Sequence, residues 1–341
     1  ESDPTIGIVN RLLPNSKVKI VKEQKRKADA LKIFFDDYLK ENKEYCDDFI
    51  IIDADNWLSP DFISKMNDSL ASGADVIIPK KLIKNNCSGK EFKTIISTCS
   101  AMTYVSVDEM GNKAKTERGD TLSLCGQGML LSQKFIVNAG GFPFKSLSED
   151  YEISVECIRK GYKQYFSEYA QIFSEEPTTL PEFNKRRLRW CRGFISVNSK
   201  YSKEIRKITF GGEKIKKENL FFLYGLLPVG GMIVDFIVFF AIFLISAIVV
   251  TTKQDFESAK LLYCFAAIPL ATMYLQVFFQ GVFALVVGKK TLKTNIFESF
   301  GISLLYPFIM GFYLPLFVHA FFTAESGAWT PVKRLNIWRL R

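Results

Sequence analysis

The chain has 341 residues, 48% of them hydrophobic and 31 of them Phe, and carries a formal net charge of +9. Its seven Cys form no CxxC pair and no repeated spacing, which argues against a disulfide framework and against structural zinc. No run of basic residues is interleaved with aromatics, so nucleic acid is not an expected partner; Lys and Arg flanking membrane segments account for the charge.

The hydrophobic excess is unevenly spread. From Glu1 to Asn219 the chain is charged and mixed, and from Leu220 onward Leu, Ile, Val and Phe dominate. The shift at Lys217-Glu218-Asn219 divides the chain into a water-side unit, 1–217, and a membrane unit, 218–341. Cysteines such as Cys46, Cys99 and Cys125 in the first unit fit a reducing compartment. Glu1 is not a start Met, and the first complete unit reads as a connection after a strand. The expectation is that a preceding piece carries the first strand and part of a nucleotide pocket.

In chain order, Val18–Val21 is a short apolar strand candidate. Arg26–Leu39 has apolar residues at helical spacing. Phe49–Asp53 is a continuous apolar run ending in an acid, as expected of a strand buried on both faces of a parallel sheet. A helix is predicted over Asp61–Ser72, with Pro60 near its first turn, then a buried strand over Ala74–Pro79. This alternation predicts an α/β sheet with helices on both faces, whose ligands sit at the carboxyl ends of the strands. Thr121–Ser132 reads as a turn, Cys125-Gly126-Gln127-Gly128, feeding a strand. Asp150–Lys160 reads as an amphipathic helix, Tyr162–Phe166 as a strand and Pro181–Val197 as a helix.

Three hydrophobic segments follow, Leu220–Val250, Leu261–Gly288 and Ile296–Thr323, each reaching the ~20 residues that span a bilayer. Lys214, Lys216 and Lys217 precede the first, Lys289, Lys290 and Lys293 follow the second, and Lys333, Arg334, Arg339 and Arg341 fill the tail. The positive-inside rule wants all three basic clusters in the cytosol, whereas three plain spans would put the tail outside. A third segment bent at Pro307 or Gly311 would remove the conflict.

Three short motifs carry the chemistry. Asp53-Ala54-Asp55 ends an apolar run, where carboxylates can hold a hard divalent cation against a departing diphosphate. Ser148-Glu149-Asp150 opens a helix; it is either an N-cap or the seat of a general base for an acceptor hydroxyl. Arg186-Arg187-Leu188-Arg189-Trp190 is either a basic helix face near lipid headgroups or a phosphate clamp with a stacking surface for sugar. Lys25-Arg26-Lys27 ahead of a helix is either a phosphate contact or a solvated turn. His319, in a membrane segment, is read as a packing or interfacial residue.

In this order the motifs resemble those of the family 2 glycosyltransferases, above all the membrane-embedded branch that includes cellulose, chitin and hyaluronan synthases. Its Asp-x-Asp, Thr/Ser-Glu-Asp and Gln/Arg-x-x-Arg-Trp signatures correspond to the three motifs above. Arg26-Lys27-Ala28-Asp29-Ala30-Leu31 resembles its Gly-Lys-x-x-Ala-Leu segment with Arg26 in place of Gly, and Trp329–Arg334 resembles its Trp/Thr/Arg signature. The family's first strand and uridine-contacting Asp are missing, although Ser2-Asp3-Pro4-Thr5 looks like the end of that region. Arg186 stands where polymerising enzymes more often have Gln; Arg is also found there in ceramide glucosyltransferase-like enzymes.

The resemblance implies a nucleotide-sugar-binding Rossmann-like (GT-A) α/β domain followed by an α-helical transmembrane domain, in a multi-pass protein of the cell membrane with its catalytic domain cytoplasmic. It implies inverting transfer from a UDP-sugar, with Asp55 holding Mg2+ or Mn2+ and Asp53, Lys27, Arg186, Arg189 and Trp190 on the donor. Asp150 would be the base, with Glu149 beside it. Cys125, Gly126, Gln127 and Trp190 would meet the acceptor. The expected product is a β-linked polysaccharide extended at the membrane; the alternative is a lipid carrying a single added sugar. Membrane lipids are the expected surroundings.

Overall fold

A computed structural model describes residues 5–19, 21, 26–41, 48–88, 90–204, 207, 230–253 and 256–324. Lys25, the boundary at Lys217-Glu218-Asn219, the lysines preceding the first hydrophobic segment, the Trp329–Arg334 motif and the basic tail lie outside the described residues.

The elements run α1 (Thr5–Leu12), α2 (Lys27–Lys40), β1 (Asp48–Ile51), β2 (Trp57–Leu58), α3 (Phe62–Ser69), β3 (Val76–Ile83), α4 (Lys84–Cys87) and α5 (Ile95–Val105). A π-helical stretch, Ser106–Asn112, leads to α6 (Lys113–Arg118). Then come β4 (Met129–Ser132), α7 (Gln133–Ala139), α8 (Glu149–Lys160), β5 (Gln164–Ser174) and α9 (Leu180–Lys200). The apolar half holds α10 (Gly230–Lys253), α11 (Phe256–Val287), α12 (Lys289–Leu292), α13 (Ile296–Gly311) and α14 (Tyr313–Thr323).

The sheet order is β1-β4-β3-β5-β2. It is mixed, which corrects the parallel sheet expected from the apolar runs. Among the described strands only β3 and β5 run parallel; β1 pairs antiparallel with β4, β4 with β3 and β2 with β5. β1 is an edge strand among the described residues, and its burial alternates instead of being complete on both faces. Val18, Lys19 and Val21 form no strand: Val18 is exposed, and an apolar dipeptide repeat without a pairing partner has no ladder to join. The strand predicted over Ala74–Pro79 continues to Ile83, and the one over Tyr162–Phe166 continues to Ser174, because β3 and β5 extend one another past an irregularity at Pro79/Lys80.

One face of the sheet is covered by α2, α7 and α8 through Phe35, Phe135, Ile136 and Ile153, the other by α3 through Phe62 and Met66. A third core joins the two halves of the chain. Met102 and Val105 of α5 and Phe183 and Cys191 of α9 pack with Val277 and Ala284 of α11 and with Tyr306, Met310 and Tyr313. The α5 region carried no sequence expectation; its buried residues occur on every side of the helix, so it has no amphipathic period to read.

Among the described residues, three helical segments are long and apolar enough to cross a membrane: Val234–Thr252, Lys260–Val287 and Ile296–Thr323. The third is interrupted at Phe312, between α13 and α14. The cause is Pro315, which has no N–H to donate to the Gly311 carbonyl one turn earlier. Phe312 instead accepts from Leu316 at 3.2 Å, and the helix resumes.

Candidate active site

Antiparallel pairing builds the site. β1 ends at Ile51, and Asp53 and Asp55 follow at its carboxyl end. Because β4 runs back along β1 with Met129 opposite Ile51, the turn that enters β4 arrives beside those acids. The Gly128 N–H donates to the Ile51 carbonyl at 2.8 Å, and Gln127 Nε2 donates to Asp53 Oδ2 at 3.2 Å. Gly128 sits at φ +69, and a Cβ there would come within 2.8 Å of Pro79 Cγ and 2.9 Å of Ile172 Cδ1. Only glycine permits both that conformation and that approach to the sheet.

Lys27, the first residue of α2, reaches into this corner. Its Nζ lies 2.6 Å from Asp53 Oδ1 and 3.8 Å from Glu149 Oε1, and donates to the Gly126 carbonyl at 2.9 Å. Burial works against the ammonium, but Asp53 and Glu149 outweigh it and hold its pKa above the ordinary lysine value. Of the described residues of that cluster, Arg26 donates to the Lys145 carbonyl and Lys27 joins the site.

Ser148 precedes α8 without a side-chain capping hydrogen bond. The acids behind it are directed elsewhere. Asp150 Oδ2 accepts from the Gly126 N–H at 3.0 Å and Oδ1 from the Tyr151 N–H at 2.8 Å. Burial first, and then the charge of Asp150, push the Glu149 carboxyl up to about 7. A Cβ at Gly126 would stand 3.4 Å from Glu149 Oε1 and 3.6 Å from Asp150 Oδ2, so the small residue lets both acids close on the turn.

Helix α9 brings the Arg/Trp motif to the same corner. Burial and then repulsion from Arg186 lower the Arg189 pKa, while Glu149 and Asp150 oppose that shift, which puts the Arg189 guanidinium within the field of both acids. Arg186 and Arg187 turn the other way. Arg186 Nη2 lies 3.2 Å from Glu176 Oε1, and its Nη1 donates to the Glu175 carbonyl at 3.0 Å. Arg187 is fully buried, 3.9 Å from Glu176 Oε2, and donates to Ser100 Oγ at 3.3 Å. Both guanidiniums lie over the Trp190 ring, at 5.4 and 4.1 Å, and Trp190 meets Tyr104 edge-on at 6.5 Å. Burial would lower the Arg186 pKa, but Glu176 first, and Asp55 least among the groups around it, raise it.

The sequence reading missed Glu176, Lys81 and Lys84. Glu176 follows β5 as Asp53 follows β1, so the same strand-end signal was present. It is wholly buried among Arg186, Arg187 and Lys81, the last 3.6 Å away. Burial would raise its pKa, but Arg186 and then Lys81 outweigh that and keep it below the ordinary glutamate value. Lys84 Nζ donates to the Asp55 carbonyl and lies over the Trp57 ring at 4.2 Å. Cys125 sits near Lys81, but burial raises its pKa, which leaves a neutral thiol and no nucleophile.

Six of the expected residues therefore gather: Lys27, Asp53, Gly126, Gln127, Glu149 and Asp150, with Arg189 facing the acids. Arg186 pairs with Glu176, and Trp190 meets both the arginines and Tyr104. His319 is exposed on α14, and its carbonyl accepts from Thr323. Carboxylates at a strand end opposed by buried cations are suited to handling a phosphorylated donor. The chain matches the family described as glycosyl transferase family group 2 over residues 49–287.

The chain belongs to that family. The match runs from β1 through α11, so it includes both the acid motifs and two of the apolar helices. No curated protein matches the chain. As a family 2 glycosyltransferase the protein is an enzyme of sugar transfer with a GT-A-type α/β domain, followed by helices apolar enough to span a membrane.

The chemistry of the acid edge fits a hard divalent cation, which takes carboxylate and phosphate oxygens. Asp53 and Asp55, at the carboxyl end of β1, are carboxylates of the kind such a cation takes. Among the described residues no three His, Cys, Asp or Glu side chains gather as a metal cluster. The protein would therefore contribute one or two carboxylates, and the diphosphate oxygens would complete the coordination.

Proposed function

We propose that the enzyme transfers a sugar with inversion from a UDP-sugar to the hydroxyl of a membrane-associated acceptor, extending a β-linked polysaccharide. The observation that carries this reading is the convergence of Asp53, Glu149 and the Gly126 carbonyl on Lys27 Nζ, with Asp150 bonded to the same turn. Donor-side acids and acceptor-side base are thereby held by one loop.

Asp150 takes the proton of the attacking hydroxyl. The acceptor oxygen forms its bond to the anomeric carbon as the bond from that carbon to the diphosphate oxygen breaks, on the opposite face. Lys27, against Asp53 and Glu149, and Arg189, in the field of Glu149 and Asp150, stabilise the negative charge that passes to the leaving diphosphate. Bound Mg2+ or Mn2+, held by Asp55, would add charge neutralisation at those phosphate oxygens. Trp190, backed by Tyr104 and stacked under arginines, is a rigid face for a sugar ring. Gln127 and Cys125, on the turn beside Asp53 and Asp150, line the acceptor side.

Transfer of one sugar to a membrane lipid is the second reading. It is favoured by Arg186, which is held by Glu176 in place of a residue free to contact a growing chain, and by the core that joins α9 to the apolar helices. Incubating the protein in its membrane with a panel of labelled UDP-sugars decides between them. A ladder of polymer supports polysaccharide synthesis, a single labelled glycolipid supports the lipid acceptor, and no turnover with any UDP-sugar overturns the donor assignment.

A further inference from the structure

The turn Cys125-Gly126-Gln127-Gly128 gathers the site: Gly126 bonds Asp150 and Lys27, and Gln127 bonds Asp53. The turn itself is fixed from upstream. Ser123, two residues before Cys125, is held through its backbone and its side chain. Its N–H donates to Asn112 Oδ1 at 2.9 Å, and its carbonyl accepts from Asn112 Nδ2 at 3.3 Å. Its hydroxyl accepts from Lys115 Nζ at 2.9 Å. A carboxamide that takes both the N–H and the C=O of one residue does what a facing residue does in an antiparallel pair. The Ser123 N–H can only donate and its carbonyl can only accept, so the orientation of the Asn112 carboxamide is fixed. One residue earlier, the Leu122 N–H donates to Gln164 Oε1 at 2.8 Å.

Asn112 ends the π-helical stretch, and both it and Asp108 are buried. Its Nδ2 also donates to Asp108 Oδ1 at 3.1 Å, and Asp108 Oδ2 accepts from the Lys81 N–H at 3.1 Å. That amide lies on β3 beyond its pairing with β4, which covers Val76 and Ile77. Asp108 thus takes a strand amide where the neighbouring strand has ended, and passes the position of β3 to Asn112. The flanks are fastened to the same sheet. Lys80 of β3 pairs with Glu109, Lys113 Nζ lies 2.9 Å from Glu168 of β5, and the Phe166 N–H donates to Thr116 Oγ1 at 3.1 Å. Residues 106–118 therefore form a strap across β3 and β5 that touches the turn through Asn112 and Lys115. π-Helical turns are rare and concentrate at functional sites. Neither Asp108 nor Asn112 belongs to the motifs that meet at the acid edge.

We propose that Asn112, oriented by Asp108, is a positioning residue for sugar transfer: it holds Ser123, and through Ser123 the turn that sets Lys27, Asp53 and Asp150 against one another. This rests on the reading of that corner as the site of transfer. Without the Asn112 carboxamide, the Ser123 N–H and carbonyl lose their partner, and the turn is free to shift. Gly126 then carries Asp150 and Lys27 with it, because both are bonded to its backbone. The bonds from Lys115 to the Ser123 hydroxyl and from Leu122 to Gln164 remain, so the chain keeps its path. The loss falls on the geometry of the acids more than on the fold.

The test uses the full protein in its membrane and two readouts. The first is kcat with the UDP-sugar that the wild type turns over; Asn112→Ala is expected to lower it by about 10²-fold. The second needs no turnover. Alkylation of Cys125 by N-ethylmaleimide, followed by the mass of its peptide, reports the turn, and Cys99, buried in the core shared with the apolar helices, reports the fold. Cys125 is expected to react faster in Asn112→Ala, with Cys99 unchanged. A third variant guards against misfolding. Asn112→Asp sets a carboxylate against Asp108 and the Ser123 carbonyl, and adding Asp108→Asn returns an N–H between positions 108 and 112. The pair is expected to recover on the order of 10-fold in kcat over Asn112→Asp alone. Wild-type kcat in Asn112→Ala overturns the proposal, as does a lower kcat with Cys125 reacting no faster. Cys125 and Cys99 reacting faster together describe general loosening and overturn it too. If the wild type uses no UDP-sugar, the donor reading has failed, and the Cys125 rates alone decide whether Asn112 holds the turn.

Discussion

Gly193 on α9 and Ser148 at the entrance to α8 meet with no room between them: a Cβ built at 193 would stand 2.1 Å from Ser148 Oγ, 2.8 Å from its Cβ and 3.0 Å from its backbone nitrogen. The helix that carries Arg189-Trp190 and the turn that carries Glu149-Asp150 are thereby set against one another at a distance only hydrogen allows. Gly193→Ala is expected to cost about 1–3 kcal/mol of stability through overpacking. Transfer should fall further, by about 10²-fold, because a shift of the acid pair by a fraction of a bond length misplaces the base. Adding Ser148→Gly should recover only part of the activity, since the backbone nitrogen remains in the way. Melting and turnover of the two variants check this; wild-type turnover in Gly193→Ala would show that the contact does not position the acids.

Asp150→Asn is expected to lower transfer by about 10²–10⁴-fold with UDP-sugar affinity nearly unchanged. The Asn carbonyl can still accept from the Gly126 N–H, so the turn keeps its bond while the proton acceptor is lost. Turnover near normal with intact donor binding would remove Asp150 from the mechanism.

Asp55→Ala should weaken Mn2+ and UDP binding together, because the carboxylate just past the end of β1 would be the protein's ligand to the cation. Titration calorimetry of UDP with and without Mn2+ reads this out. Equal affinities for the wild type and the variant under both conditions would rule out a metal role for Asp55.

Glu149 makes stability depend on pH. Its carboxyl is raised from 4.5 to about 7 by burial and by Asp150. Between those values the folded protein holds a proton that the unfolded chain has released, so stability falls as pH rises through the window. Asp108, also pushed up to about 7 by burial, acts in the same direction. Glu149→Gln should therefore reduce the slope of melting temperature against pH between about 4.5 and 7 without abolishing it. An unchanged slope would mean that Glu149 titrates as an ordinary carboxylate.

Glu176 stands among Arg186, Arg187 and Lys81, all buried. Removing its charge leaves three cations without their common partner, so Glu176→Gln should cost about 3–5 kcal/mol. The cost should appear in urea unfolding as a lower midpoint with an unchanged slope. A loss below 1 kcal/mol would place the compensation of those cations elsewhere.

The sequence by itself determined the family signature, the division of composition and most helices. Lys27 to Lys40, Glu149 to Lys160 and Leu180 to Lys200 were legible because apolar spacing and strand-end acids are local patterns, written in neighbouring residues. It also exposed the conflict over the third apolar segment, since three basic clusters wanting one side do not fit three plain spans. Tertiary structure alone decided strand direction: an apolar run reads the same in either sense, and only pairing with Met129–Ser132 brought Gln127 to Asp53 and Gly126 to Asp150. It also decided which arginine serves which acid. Arg186, Arg187 and Arg189 are indistinguishable by type, but helical geometry turns the first two toward Glu176 and leaves the third in the field of Glu149 and Asp150. Hydropathy likewise reads Ile296–Thr323 as one apolar stretch; the bonds from Lys93 and Arg192 to its two ends are set by tertiary structure, because they link residues far apart in sequence and no local window contains them.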